Sequence, residues 1–95
     1  MALTRKKFTM CNSKGLHARA ATQFVKTASA YDAEVTVYRD ETAANGKSVM
    51  SLLILAAPKD SVIDVEIDGA DADEAMMALG TLIEGGFGEM AGESG

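Results

Sequence analysis

The sequence contains no tryptophan, and only three phenylalanines and two tyrosines among its 95 residues. A core built from it is therefore aliphatic and rich in methionine. A single cysteine, Cys11, excludes an internal disulfide and a cysteine-built zinc site. One histidine beside that one cysteine leaves too few ligands for a transition-metal centre, so neither metal nor cofactor is expected. No apolar run is long enough to cross a bilayer, and the first residues do not resemble a signal peptide. A cytoplasmic protein with no membrane partner is the expectation. Ninety-five residues suit a single domain over 1–95 with one modest core. That leaves little room for an elaborate substrate pocket.

Charge of one sign is missing at each end. The first 31 positions hold no acid, but carry Arg5, Lys6, Lys7, Lys14, Arg19 and Lys26. All fourteen acids follow, and no base follows Lys59. The formal net charge of −5 thus conceals a basic N-terminal island on an acidic chain. Such an island steers partners with acidic docking surfaces toward it. Nucleic acid would be drawn there too, but the acidic remainder argues against that partner.

Periodicity supplies the elements. Residues 4–11 read as a strand, with Phe8 and Met10 on one face and Lys7 and Thr9 on the other. Residues 12–16 read as a loop. Ala21, Phe24, Val25 and Ala28 recur at i, i+3, i+4 and i+7, which predicts a helix over 18–30 with Arg19, Gln23 and Lys26 on its polar side. Residues 34–38 alternate, Arg39-Asp40-Glu41 reads as a hairpin turn, and 42–44 as a short return strand. Asn45-Gly46 breaks the chain. Ser48 suits the N-cap of a second helix over 49–56. Ile63, Val65 and Ile67 alternate with Asp64, Glu66 and Asp68, giving a strand over 61–68.

A third helix starts near Asp71, where Asp71 and Glu74 have the spacing of a capping box. Its stripe is Ala72, Ala75, Met76, Leu79 and Ile83. Gly80, inside it, should cost about 1 kcal/mol relative to alanine. Gly85-Gly86 ends it, and residues 86–95 read as a flexible tail. The order β-α-β-β-α-β-α, with striped helices and one-sided strands, predicts a two-layer α+β sandwich with one sheet face in solvent.

The only histidine, His17, lies in Lys14-Gly15-Leu16-His17-Ala18-Arg19-Ala20-Ala21-Thr22, where the polar loop becomes the first helix. The first N–H groups of a helix lack intrahelical partners and sit at the positive end of its dipole, which attracts phosphate. Arg19 adds planar donors matched to phosphate oxygens. A neutral imidazole nitrogen is a nucleophile near neutral pH. A lone histidine is commonly a surface or structural residue. Helix start and arginine together point instead to one that accepts a phosphoryl group and passes it on.

The second informative stretch is Asn45-Gly46-Lys47-Ser48-Val49-Met50-Ser51-Leu52-Leu53. The helix after it is apolar nearly all round, so one face packs on the sheet and Val49, Met50, Leu53 and Ile54 are expected to form an exposed patch of the kind that marks binding sites. Methionine suits a surface that accepts several partners. Gly46-Lys47-Ser48 is not a nucleotide phosphate loop, because the earlier glycine of that motif falls on Glu41.

The run Gly15-Leu16-His17-Ala18-Arg19, followed by Ala21, resembles the active-site signature of the HPr family, the histidine phosphocarriers of phosphotransferase systems. Later stretches match in order and spacing, and the resemblance covers about residues 4–84. It implies an open-faced β-sandwich in which three helices cover a four-stranded antiparallel sheet. It also implies that His17 takes a phosphoryl group on Nδ1 from enzyme I and passes it to an enzyme IIA-type domain, with no independent turnover of a small molecule. Arg19 and the helix N–H groups would hold the phosphoryl oxygens. Ala18, Lys26, Val49, Met50, Leu53 and Ile54 would meet partners, and a monomer is expected.

Gly46-Lys47-Ser48 is similar to the family's regulatory serine region, so a serine kinase or phosphorylase acting on Ser48 is a further implied partner. An N-cap role alone also explains that serine. One departure stands out: Ala20 occupies a position where the family usually has proline. The alternatives are a nitrogen-branch protein acting by phosphorylation-dependent binding, a purely regulatory binder that relays nothing, and a small-phosphate hydrolase. The last lacks any residue near His17 suited to orient a water.

Overall fold

The computed structural model describes residues 3–88. Four strands form one antiparallel sheet: β1 (Leu3–Thr9), β2 (Ala33–Arg39), β3 (Thr42–Asn45) and β4 (Val62–Gly69), in the spatial order β1-β4-β2-β3. Three helices, α1 (Ala18–Ser29), α2 (Val49–Leu55) and α3 (Ala72–Glu84), complete the expected β-α-β-β-α-β-α order.

The clearest alternation in the sequence becomes the centre of the sheet. Ile63, Val65 and Ile67 of β4 are buried and stand beside Phe8 of β1 and Val37 and Val35 of β2 in register. Phe24 and Ala28 of α1, Leu52 and Leu55 of α2, and Leu79 and Ile83 of α3 close over this face in one hydrophobic cluster. The β2–β3 hairpin turns in two residues, with Asp40 at φ 55°, a conformation aspartate tolerates better than most residues.

Gly80 has a packing reason. A Cβ there would lie 3.1 Å from Cε1 of the Phe8 ring, so the glycine lets α3 approach β1 closely. The helix gives up intrinsic propensity for that approach.

Three expectations are corrected. Asp71 sits at the N-cap of α3, but its carboxylate makes no cap hydrogen bond. Its Oδ2 instead accepts the Asp32 N–H at 2.8 Å, tying the start of α3 to the turn before β2, so the capping box is not formed. The first strand ends at Thr9, because Cys11 turns away and its Sγ approaches the Ile83 carbonyl at 3.3 Å at the end of α3. The expected tail begins with structure: Gly86–Gly88 form a 3₁₀ turn, and Phe87 is 2% exposed. An aromatic among glycines still buries its ring when a core edge lies open. Residues 89–95, the rest of that expected tail, lie outside the described residues.

The solvent face of the sheet carries a charged cluster. Asp64 Oδ2 lies 3.2 Å from Lys7 Nζ and 3.5 Å from Arg5 Nη2. Arg5 Nη1 is 3.6 Å from Glu66 Oε2, and its guanidinium carbon lies 4.9 Å from the centre of the Tyr38 ring. The Tyr38 hydroxyl donates to Glu66 Oε1 at 3.3 Å.

Desolvation pushes the Asp64 carboxyl up, but the hydrogen bonds and charges of Lys7 and then Arg5 outweigh it and hold it below the usual aspartate value. A carboxyl lowered in the fold contributes stability that is fully present above its unfolded pKa. That contribution is lost as pH falls through the lowered value. The Asp64→Asn protein should therefore lose less stability than wild type between neutral pH and strongly acidic pH, in urea melts at low salt. Equal slopes for the two proteins would show that Asp64 carries no pH-linked stability.

Candidate functional site

The loop ahead of α1 is built around a buried amide. Asn12 is 0% exposed, and its Nδ2 donates to the Gly15 carbonyl at 2.8 Å while the Gly15 N–H donates to the Asn12 carbonyl at 3.1 Å. Gly15 has φ +60°, and a Cβ there would fall 2.8 Å from Pro58 Cα. Only glycine meets both demands. The next residue, Leu16, buries its side chain and donates its N–H to the Ala57 carbonyl at 2.8 Å. The loop is thus seated on the segment that follows α2.

This seating presents His17 at the N-cap of α1. Its backbone is extended, with φ −84° and ψ −176°, and its carbonyl accepts the Ala21 N–H at 2.8 Å. Its ring Nδ1 accepts the Arg19 N–H at 3.3 Å. A histidine therefore does what serine or aspartate usually does at this position. A neutral imidazole whose Nδ1 accepts a hydrogen bond carries its proton on Nε2. That tautomer follows from the hydrogen-bond assignment. The Nδ1 lone pair faces the positive helix end, and His17 is half-buried.

Ala18 and Arg19 are exposed on the first turn, and Lys26 is exposed near the end of α1. Among the described residues no acid pairs with the Arg19 guanidinium. One turn beyond Arg19, Gln23 Nε2 donates to the Phe87 carbonyl at 3.1 Å, so the 3₁₀ turn borders the polar side of α1. The basic island divides in space. Arg5 and Lys7 belong to the far face of the sheet, where they are paired, and Lys6 Nζ lies 5.3 Å from the centre of the Phe8 ring. Lys14, Arg19 and Lys26 are the bases on the loop and helix that carry His17.

Helix α2 packs against α1. Ser48 is its N-cap, with Oγ accepting the Ser51 N–H at 3.3 Å. Leu52 and Leu55 are buried, and Val49 and Leu53 lean half-buried on the core. Met50 and Ile54, four residues apart on one stripe, are 69% and 73% exposed. The apolar surface of α2 is therefore centred on Met50 and Ile54, flanked by Val49 and Leu53. The helix ends at Leu55, where Ala56 adopts a left-handed conformation and Arg39 Nη1 donates to the Leu55 carbonyl at 3.3 Å.

Sequence reasoning missed the contribution of residues 57–58, which form the shelf under the site loop. A proline just past a helix marks a chain stop, but nothing in it says which loop will rest there. Gln23 was visible as a polar helix position, and its bond to Phe87 depended on a fold-back that the glycines hid. Among the described residues no group of three or more His, Cys, Asp or Glu side chains is arranged to hold a metal ion.

Comparison with known proteins bears on this geometry. The family described as the HPr component phosphorylation site of the phosphotransferase system matches residues 4–85. The phosphocarrier protein HPr of Neisseria meningitidis is 48% identical over 87 residues, covering 92% of this chain and 98% of that protein. The phosphocarrier protein NPr of Shewanella violacea is 39% identical over 89 residues, with 94% of this chain and 98% of that protein covered. The crystal structure of HPr-C-His from Thermoanaerobacter tengcongensis superposes with a TM-score of 0.87 at 36% identity, over 90% of this chain and 96% of the other.

The exposure pattern of α2 separates surface from core. Met50→Glu should shift stability by no more than about 0.5 kcal/mol, whereas Leu52→Ala should cost about 2–5 kcal/mol. Chemical denaturation of the two variants checks this, and comparable losses would place Met50 in the core.

Proposed function

The chain belongs to the HPr family of the phosphotransferase system, and from that premise we propose that His17 is the residue that carries the phosphoryl group. The protein is a phosphocarrier of the phosphoenolpyruvate-dependent phosphotransferase system, with enzyme I as donor and enzyme IIA-type domains as acceptors. The observation that carries the assignment to His17 is the direction of its Nδ1, which accepts the Arg19 N–H at the N-cap of α1.

In the proposed step the Nδ1 lone pair attacks the phosphorus of the phosphohistidine on enzyme I. The new N–P bond forms as the donor's N–P bond breaks, and the electron pair returns to the donor imidazole. The His17 ring keeps its Nε2 proton and becomes cationic beside the anionic phosphoryl group. As the ring backs away, the Arg19 N–H, released from the lone pair, donates to a phosphoryl oxygen, and the Arg19 guanidinium takes another. Onward transfer is the same exchange with an acceptor histidine in place of the donor.

Partner docking falls to Met50 and Ile54, flanked by Val49 and Leu53, with Ala18 and Lys26 at the edge. The surplus of exposed apolar side chains beside a basic helix supports this role. Ser48 is the position where a serine kinase or phosphorylase would act, half-buried at the first turn of that surface. One domain working as a monomer in the cytoplasm completes the reading. No helix of the described residues is long and apolar enough to cross a membrane.

His17→Ala should abolish acceptance of phosphate from phosphoenolpyruvate and enzyme I, while the protein still folds cooperatively, with its unfolding midpoint lowered by roughly 4–8 °C for the lost helix cap. Labelling with radioactive phosphoenolpyruvate and a thermal melt check both halves. Retained transfer in the variant would move the acceptor elsewhere.

Ser48→Asp tests the regulatory position. A negative charge at the start of α2 suits the helix dipole, so the thermal midpoint should stay within a few degrees. The same charge borders the docking surface and should raise KM for enzyme I with a smaller change in kcat. Raising the salt concentration should shrink that increase, because exposed charges are then screened. A KM equal to wild type would leave Ser48 as a helix cap alone.

A further inference from the structure

Ala20 sits in the first turn of α1. It is fully buried, so water does not reach its backbone N–H. The Arg19 N–H goes to His17 Nδ1, and the Ala21 N–H goes to the His17 carbonyl. Between them, among the described residues, the Ala20 N–H meets no acceptor. A buried donor without a partner is costly, and such groups in folded proteins call for an explanation.

The geometry points to Ala20 as a positioning residue whose N–H receives an oxygen of the phosphoryl group on His17. This rests on the reading of His17 as the acceptor. The side-chain atom of an N-cap residue faces the N–H groups of the second and third helical residues, here Arg19 and Ala20. With Nδ1 only 3.3 Å from the Arg19 nitrogen, no phosphoryl group fits between ring and helix as they stand. On phosphorylation the ring backs away, and the phosphoryl oxygens take up the space it held. Two adjacent N–H groups then point into that space. The second can do so only because residue 20 is not a proline, which has no N–H. The chain thereby adds a fixed backbone donor to the exposed Arg19 guanidinium.

Two measurements test this on the full chain, phosphorylated by phosphoenolpyruvate and enzyme I. The first follows amide protons by NMR. On phosphorylation the Ala20 amide proton should move downfield together with that of Arg19, as expected for a new charge-assisted hydrogen bond. The second uses Ala20→Pro, which deletes the donor in a first turn where proline is tolerated. Its equilibrium with phosphorylated enzyme I should shift roughly three- to tenfold toward the unphosphorylated carrier, the loss expected for one hydrogen bond.

An Ala20 amide that stays in place while that of Arg19 moves overturns the assignment, as does an Ala20→Pro equilibrium equal to wild type. If the variant fails to fold, the amide shift in the wild-type chain decides alone. A wild-type chain that takes no phosphoryl group overturns the His17 reading and this one with it. A chain phosphorylated on His17 but silent at Ala20 overturns only this one.

Discussion

The site depends on one backbone hydrogen bond, from the Leu16 N–H to the Ala57 carbonyl at 2.8 Å. It joins two segments far apart in sequence, the loop that delivers His17 and the chain leaving α2. The bond can form because Gly15, at φ +60°, lets the loop lie against Pro58. It is buried, so losing it would strand a carbonyl and an amide away from water. Through it the loop that presents His17 and the apolar stripe of α2 share one base. The left-handed Ala56 and the Arg39 bond to Leu55 O fix the other end of the same shelf.

Much of this was legible in the sequence because it is written in periodicity. The alternation of Ile63, Val65 and Ile67 marked the central strand, and the spacing of Ala21, Phe24 and Ala28 marked the inner face of α1. Ser48 was readable as a cap because the residue type and the position before an apolar run coincide. The failures share a cause. Asp71 had the right spacing for a capping box, but a nearer donor on Asp32 captured its carboxylate. Phe87 had glycines on both sides, which local reasoning treats as tail, yet a core edge was open to its ring. In each case a contact distant in sequence outweighed a local preference. The role of residues 57–58 belongs with them, since a contact between two loops leaves no periodic trace.

The charge reading was also reshaped by the fold. Six bases without an acid among the first 31 residues describe a strand and a helix together. Once the chain folds, strand alternation sends Arg5 and Lys7 to the open sheet face, where Asp64 and Glu66 meet them. These pairs are partly exposed, and each contributes little to stability. Their larger effect is to remove positive charge from long-range steering. What remains around His17 is Lys14, Arg19 and Lys26, a smaller and more localised field than the sequence implied. Localisation favours orientation, because a diffuse field attracts an acidic partner to either face of the protein.

A carrier must hold its cargo and also release it. A deep pocket with many buried donors would stabilise the phosphorylated form so far that onward transfer became uphill, since binding that favours an intermediate lowers its reactivity. The arrangement at the start of α1 is suited to the middle course. The donors proposed for the phosphoryl group are backbone N–H groups and one exposed guanidinium, and His17 is only half-buried. Before phosphorylation Nδ1 already accepts the Arg19 N–H, so the ring is oriented and the donor is occupied. Under the proposed role of His17, arrival of the phosphoryl group exchanges that hydrogen bond for one from the same N–H to a phosphoryl oxygen. The bond given up offsets part of what the proposed donors contribute, which draws the two states closer in free energy than a site whose donors stood idle before phosphorylation.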